Sequence, residues 1–189
     1  KELLKKNCNT LKFKLNRKRP SLGYVYLLNL VTLKSKTKQG NAASFIYTFF
    51  AEEAVNLEID SLIEENGLAD HLVVYTDGSV RRGVRSGWGY TASLNDEVVN
   101  EDSGYVDLTT SSMCMEVKAI SEMLEWVKRQ AIPRVVCLTD SMNTLAKVQK
   151  GLLHADWITS IRQSNLQCVQ WIFCPGHASV HGNKRADAL

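Results

Sequence analysis

Leu72-Val73-Val74-Tyr75-Thr76-Asp77-Gly78-Ser79 and Val135-Val136-Cys137-Leu138-Thr139-Asp140-Ser141 are two apolar, β-branched runs, and each finishes in Thr-Asp followed by small residues. Such runs read as buried strands. Two further stretches, 86–94 and 97–106, follow the first run and meet at Asn95-Asp96, a dipeptide suited to a tight hairpin turn. Three sequential strands with short links predict an antiparallel meander. Between the meander and the Val135 run, the segment Ser112 to Gln130 repeats Met115, Ala119, Ile120, Met123 and Val127 at helical steps. A strand, a helix and a further strand imply a crossover and therefore parallel pairing. Short helices over 144–150 and 157–164, and a last strand over 169–173 ahead of a loop 175–182, complete the pattern. The predicted class is α/β, a five-stranded mixed sheet, three strands antiparallel and the rest parallel, with helices on both faces.

The two terminal aspartates admit two readings. Asp140 or Ser141 can cap the helix near Thr144, and Asp77 with Gly78 can make a turn. Glu116 fits a bland reading less well, because steps of four, seven and eleven residues from it reach Ile120, Met123 and Val127, the face that packs on the sheet. A first-turn glutamate favoured by the helix dipole would explain its acidity but not its apolar company. An isolated buried carboxylate costs several kcal/mol, and Lys118, two positions on, points elsewhere. A fourth acid, Asp187, lies in Gly182-Asn183-Lys184-Arg185-Ala186-Asp187. With Asn183 as N-cap it would sit one turn into a helix, where the dipole again offers a plain explanation. Taken as a set, four carboxylates converging on one sheet repel one another unless cations neutralise them. Hard oxygen donors suit Mg²⁺ or Mn²⁺, and a pair of such ions is a device for displacement at phosphorus.

The ordered set Thr76-Asp77-Gly78-Ser79, Met115-Glu116, Thr139-Asp140-Ser141, Pro175-Gly176-His177 and Gly182-Asn183 with Ala186-Asp187 resembles the D, E, D, D signature of type 1 ribonuclease H. It most resembles the ribonuclease H domains of reverse-transcriptase polyproteins from non-LTR retrotransposons, over about residues 71–189. The resemblance implies Mg²⁺-dependent endonucleolytic hydrolysis of the RNA strand of an RNA/DNA hybrid, leaving 5′-phosphomonoesters. Two ions, with Mn²⁺ an alternative to Mg²⁺, would be held by Asp77, Glu116, Asp140 and Asp187. His177 matches the family's loop histidine, which assists proton transfer or product release. Gly78, Ser79, Ser112, Ser141 and Asn183 fall where substrate is contacted. Arg81, Arg82 and Arg85, on the loop after the first motif, are placed to clamp phosphates. The sequence departs from the family pattern at Met113 and Met142, where polar groups usually reach the minor groove, and at Lys184, where an acid is frequent. Asp187 lies two residues from the chain end, which fits a C-terminally truncated domain. The alternative is a catalytically impaired module of the same fold from a retroelement.

Composition sets the remaining bounds. The 189 residues are 44% hydrophobic and 23% charged, which excludes a wholly disordered, collagen-like or coiled-coil chain. The net charge of +3 conceals an asymmetry: residues 1–38 carry eleven Lys or Arg against Glu2 alone, while the rest carries twelve against nineteen acids. Residues 1–40 therefore read as a basic tail or polyprotein remnant, and residues 41–70 as a linker with an amphipathic helix on Ala51, Val55, Ile59, Leu62 and Ile63. Five cysteines without a CxxC pair suggest a reducing compartment. Cys174, His177 and His181 have zinc-like spacing, with Cys168 upstream, but packing accounts for the cysteines. The apolar stretch 24–31 is too short to span a membrane. Expected partners are an RNA/DNA hybrid and a reverse-transcriptase domain in the parent polyprotein, with no membrane; expected locations are the nucleus, given Arg17-Lys18-Arg19-Pro20, or the cytoplasm. Starting at Lys1 fits a fragment of a longer chain.

Overall fold

The computed structural model describes residues 53–64, 71–176 and 178–189. The basic segment 1–40 and His177 lie outside these residues. Helix α1 spans 53–64. It is followed by strands β1 (Leu72–Arg81), β2 (Arg85–Leu94) and β3 (Glu97–Val106), helix α2 (Ser112–Gln130), strand β4 (Arg134–Thr139), helices α3 (Met142–Gln149) and α4 (Ala155–Gln163), strand β5 (Cys168–Phe173) and helix α5 (His181–Asp187).

The five strands form one sheet in the order β3-β2-β1-β4-β5. Strands β1 to β3 pair antiparallel, and β4 pairs parallel with both β1 and β5. Asn95 and Asp96 close the β2–β3 hairpin with positive φ angles of 51° and 64°, the twist-matched turn that Asn and Asp tolerate. Alternate residues of β1 face opposite layers. Leu72 and Val74 join the larger core with Ile120, Met123, Leu124 and Val127 of α2 and with Trp157 and Trp171. Val73 and Tyr75 turn to the other face, where Val136, Leu138 and Ile172 meet Val55 and Ile59 of α1.

Helix α1 thus covers the second face of the sheet through the apolar stripe that its 3.6-residue period lays on one side. Ala51, at the start of that stripe in the sequence, lies outside the described residues. Asn56, on the same helix, reaches the segment before α5: its Nδ2 donates to the carbonyl of Ser179 at 3.3 Å, and its Oδ1 accepts the backbone N–H of His181 at 3.0 Å.

Two local expectations change. Asp77 does not end its strand: β1 runs on to Arg81, with Asp77 opposite Gly89 and Gly78 opposite Trp88. What ends is the parallel ladder to β4, whose last pair is Thr76 with Thr139. Beyond that pair the strands part, and Asp77 and Asp140 occupy the fork. Asn183 does not cap α5 either. The helix starts at His181, after Val180 and three residues earlier than expected, with no side-chain cap of its own, and Asp187 is its last residue. An acid at that end opposes the helix dipole, so dipole stabilisation does not explain it.

Candidate active site

Helix α2 carries Glu116 to the fork. Ser111 caps the helix by accepting the N–H of Cys114, which sets the phase that turns Met115, Glu116, Ala119 and Ile120 towards the sheet. Glu116 is the fifth residue of the helix, past the first turn, and is only 3% exposed. First-turn dipole stabilisation therefore does not account for it. Its Oε1 accepts the Gly78 backbone N–H at 2.9 Å and its Oε2 accepts the Thr139 hydroxyl at 3.1 Å. The approach requires glycine at 78, because a Cβ there would stand 2.3 Å from the Glu116 nitrogen.

Carboxylate oxygens of Asp77, Glu116 and Asp140 lie within 4.8 Å of one another. Among the described residues this is the one group of three or more potential metal ligands. Asp187 approaches Asp77 from α5, and the two line both of the clefts at this site. Burial, the charge of Asp140 and the nearby Asp187 push the Asp77 carboxyl up to about 7. Burial, followed by the charges of Asp140 and Asp77, pushes Glu116 up to about 8. The groups that shift these two acids include hydrogen-bond donors but no cationic side chain, although Lys184 lines the same cleft. Close oxygen donors that repel one another are the donor set of a hard divalent cation. These residues fit one.

The acids line a cleft of about 680 Å³ that also contains Gly78, Ser79, Ser112, Ser141 and Asn183. Ser141 has a structural duty as well, because it is the N-cap of α3 and its Oγ accepts the Thr144 N–H. Asn183 is buried, 7% exposed. Met113 lines the cleft, whereas Met142 is largely exposed beside it. A second cleft of about 520 Å³ shares Asp77, Ser79 and Asp187 with the first and extends past Arg81, Arg85, Trp88 and Tyr105. Arg85 lies over the Tyr105 ring, 5.5 Å from its centroid. Arg82 lines neither cleft; it sits exposed in the β1–β2 turn. The zinc alternative finds no support among the described residues: Cys174 is fully buried in the second core, and the one group of potential metal ligands is the three acids.

Sequence reasoning passed over two contributors, Thr139 and the Gly78 amide, which orient Glu116. Of the three arginines expected to meet phosphate, Arg81 and Arg85 line the second cleft and Arg82 does not. The signal for Thr139 was its place: a threonine closing an apolar strand has a hydroxyl to satisfy inside the core. Pairing puts Arg85 beside Arg81, since the two are directly opposite across the hairpin.

Comparison with known proteins agrees with this arrangement. The family model described as RNase H matches residues 69–189. The chain is 32% identical over 138 residues to a ribonuclease H of Methylobacillus flagellatus, covering 61% of this chain and 86% of that protein. It is 29% identical over 147 residues to human ribonuclease H1, covering 65% of this chain and 49% of the human protein. Among solved structures, LC11-RNase H1 in complex with an RNA/DNA hybrid superposes with a TM-score of 0.51 at 19% identity, over 62% of this chain and 92% of that one. The foamy viral protease-reverse transcriptase, also in complex with an RNA/DNA hybrid, gives 0.51 at 18% identity, over 64% of this chain and 19% of that one. At these identities the two structures speak for the fold alone. The family match, the sheet order and the acids gathered at its fork lead to one assignment: the chain belongs to the RNase H family.

Proposed function

We propose that the protein is an endonuclease that hydrolyses the RNA strand of RNA/DNA hybrids with two divalent cations, Mg²⁺ or Mn²⁺, leaving a 5′-phosphate and a 3′-hydroxyl. The observation that carries this reading is the convergence of Asp77, Glu116 and Asp140 within 4.8 Å, in a cleft also lined by Asp187. The four acids would hold the ions. When bound, such ions lower the pKa of an attacking water and stabilise charge on the departing 3′-oxygen.

The chain's own groups supply position and charge. Gly78 and Thr139 fix the direction of Glu116, so that its carboxylate arrives oriented. Arg81 and Arg85, in the adjoining cleft, carry the positive charge that phosphates need, and Ser79 and Ser112 offer hydroxyls to phosphate or sugar. His177 would move a proton near the departing group. Origin in a retroelement polyprotein that also carries a reverse transcriptase is supported by the wording of Pro175-Gly176-His177 and Gly182-Asn183-Lys184-Arg185-Ala186-Asp187.

The test is cleavage of an end-labelled RNA/DNA hybrid in Mg²⁺, with duplex DNA and single-stranded RNA as controls. The chain should cut the RNA strand of the hybrid alone, and Asp140→Asn should lower the rate by more than about 100-fold, beyond the usual cost of losing an outer-shell partner. Equal cutting by both proteins, or by neither, overturns the activity. An inert but hybrid-binding chain would instead identify the impaired module.

A further inference from the structure

Helix α1 precedes the stretch that matches the family model, yet it touches the element carrying the fourth acid. Helix α5 is seven residues long, begins without a side-chain cap of its own and ends on Asp187. A helix leaves its first N–H groups unsatisfied, and a capping oxygen usually comes from a residue just ahead of it. Here it comes from 125 positions away: Asn56 Oδ1 accepts the His181 N–H at 3.0 Å, while Asn56 Nδ2 donates to Ser179 at 3.3 Å. Ser179 has a positive φ of 63°, unusual for a residue with a side chain. The Asn56 amide thus bridges both sides of the point where the chain turns into α5.

The remaining restraints act elsewhere on α5. Gly182 lies so close to Tyr75 of β1 that a Cβ would stand 2.2 Å from the ring. Near the far end, Arg185 pairs with Glu101 of β3 through two nitrogens. Packing and ion pair hold the body and the end of the helix, and Asn56 holds its start. A seven-residue helix is about 10 Å long and too short to be stable alone. Its direction, and with it the place of Asp187, follows from these attachments.

We propose that Asn56 is a positioning residue of the site: α1 belongs to the catalytic domain and supplies, through the Asn56 amide, the N-terminal cap that aims α5 and sets Asp187 against Asp77. The inference rests on the reading of the four acids as cation ligands. Helix α1 is anchored for this task, with Val55 and Ile59 buried against Val136, Leu138 and Ile172, so Asn56 is offered from a fixed platform.

The experiment compares the full chain with Asn56→Leu, which removes both hydrogen bonds, Asn56→Asp, which keeps an acceptor for the His181 N–H, and Glu58→Gln, an exposed change on the same helix. Two quantities are read: the Mg²⁺ concentration that half-saturates hybrid cleavage, and direct Mn²⁺ binding from the paramagnetic resonance of the free ion. In Asn56→Leu the cation requirement should rise about tenfold, the low end of what loss of an outer-shell partner costs. Mn²⁺ binding should weaken in parallel, Asn56→Asp should recover part of the loss, and Glu58→Gln should match the parent chain. Unchanged cation dependence and Mn²⁺ binding in Asn56→Leu overturn the proposal, and so does a loss that Glu58→Gln shares. If Asn56→Leu does not fold, parent-like behaviour of Asn56→Asp in both measurements overturns it and an intermediate loss upholds it. A parent chain that cuts nothing defeats the hydrolytic reading instead, and Mn²⁺ binding across the same variants still decides the role of Asn56.

Discussion

The Thr139 hydroxyl donates to Oε2 of Glu116 at 3.1 Å while its oxygen accepts the Ser141 backbone N–H, also at 3.1 Å. One buried side chain therefore ties the carboxylate from α2 to the backbone that carries Asp140 past the end of β4. Replacing Thr139 with Val keeps its shape and removes both bonds. The expected result is a loss of about 1–3 kcal/mol in denaturant unfolding, from the groups left unsatisfied, and a weaker response to Mg²⁺. Thr139→Ser, which keeps the hydroxyl, should recover most of both. If Val and Ser behave alike, the hydroxyl is not what orients Glu116.

The same acids give the protein an unusual dependence on pH. The folded-state carboxyls of Asp77 and Glu116 are raised to about 7 and about 8, whereas in the unfolded chain they return to the ordinary range near 4. Between about pH 4 and 8 the folded, cation-free protein therefore holds protons that the unfolded chain releases, and its stability falls as pH rises through that window. Mg²⁺ should reverse the trend, because ligation requires the deprotonated acids. Thermal unfolding in EDTA and in Mg²⁺ at pH 5 and 8 checks this: the midpoint should be lower at pH 8 in EDTA, and the gain from Mg²⁺ larger there. A midpoint in EDTA that climbs steadily from pH 5 to 8 would contradict it.

How much of this was legible in the sequence varied residue by residue. Glu116 was readable because helical periodicity is local, and its spacing to Ile120, Met123 and Val127 alone places it on the buried face. The Asn95-Asp96 turn was readable for a similar reason. The run of β1 past Asp77 was not: Gly78-Ser79 has the local chemistry of a turn, and what keeps the chain extended is pairing with residues 85–89 of β2. The start of α5 was misjudged because Asn183 is the best local cap candidate, whereas the group that satisfies the first N–H is Asn56. The carboxylates were recognisable as a set through their order along the chain. Their distances, and the share of Thr139 and Gly78 in holding them, required the fold.

Gly182 offers a steric check on how α5 sits. A Cβ at this position would lie 2.2 Å from the Tyr75 ring, so Gly182→Ala should destabilise by about 1–3 kcal/mol as the ring or the helix gives way. It should also weaken cation binding by shifting Asp187. Adding Tyr75→Val, which clears the ring, should restore part of the stability. Independent, additive losses in the double variant would show that the two residues do not meet.

Arg81 and Arg85 line the cleft that adjoins the acids. If they meet phosphates, Arg85→Ala should weaken hybrid binding at low salt and reduce the slope of log affinity against log salt by about 1. Arg82→Ala, changed at a position outside both clefts, should leave the slope nearly as it was. Hybrid binding measured by fluorescence anisotropy at several salt concentrations, in Ca²⁺ to prevent cutting, distinguishes them; equal slopes for Arg85→Ala and Arg82→Ala would remove Arg85 from the interface.

The acids at positions 77, 116, 140 and 187 come from β1, α2, the end of β4 and α5, so their meeting spans nearly the whole domain in sequence. Local helices and the β2–β3 hairpin can form before any of these acids are neighbours, whereas the parallel β1–β4 pairing and the docking of α5 are long-range closures. Repulsion among the carboxylates therefore arises late on the folding route, when most of the sheet is already in place. Cations that relieve it act chiefly by slowing escape from the native state rather than by hastening its formation. The arrangement keeps a costly charge cluster out of the early, local steps of folding, and any cation it binds should lengthen the lifetime of the finished fold.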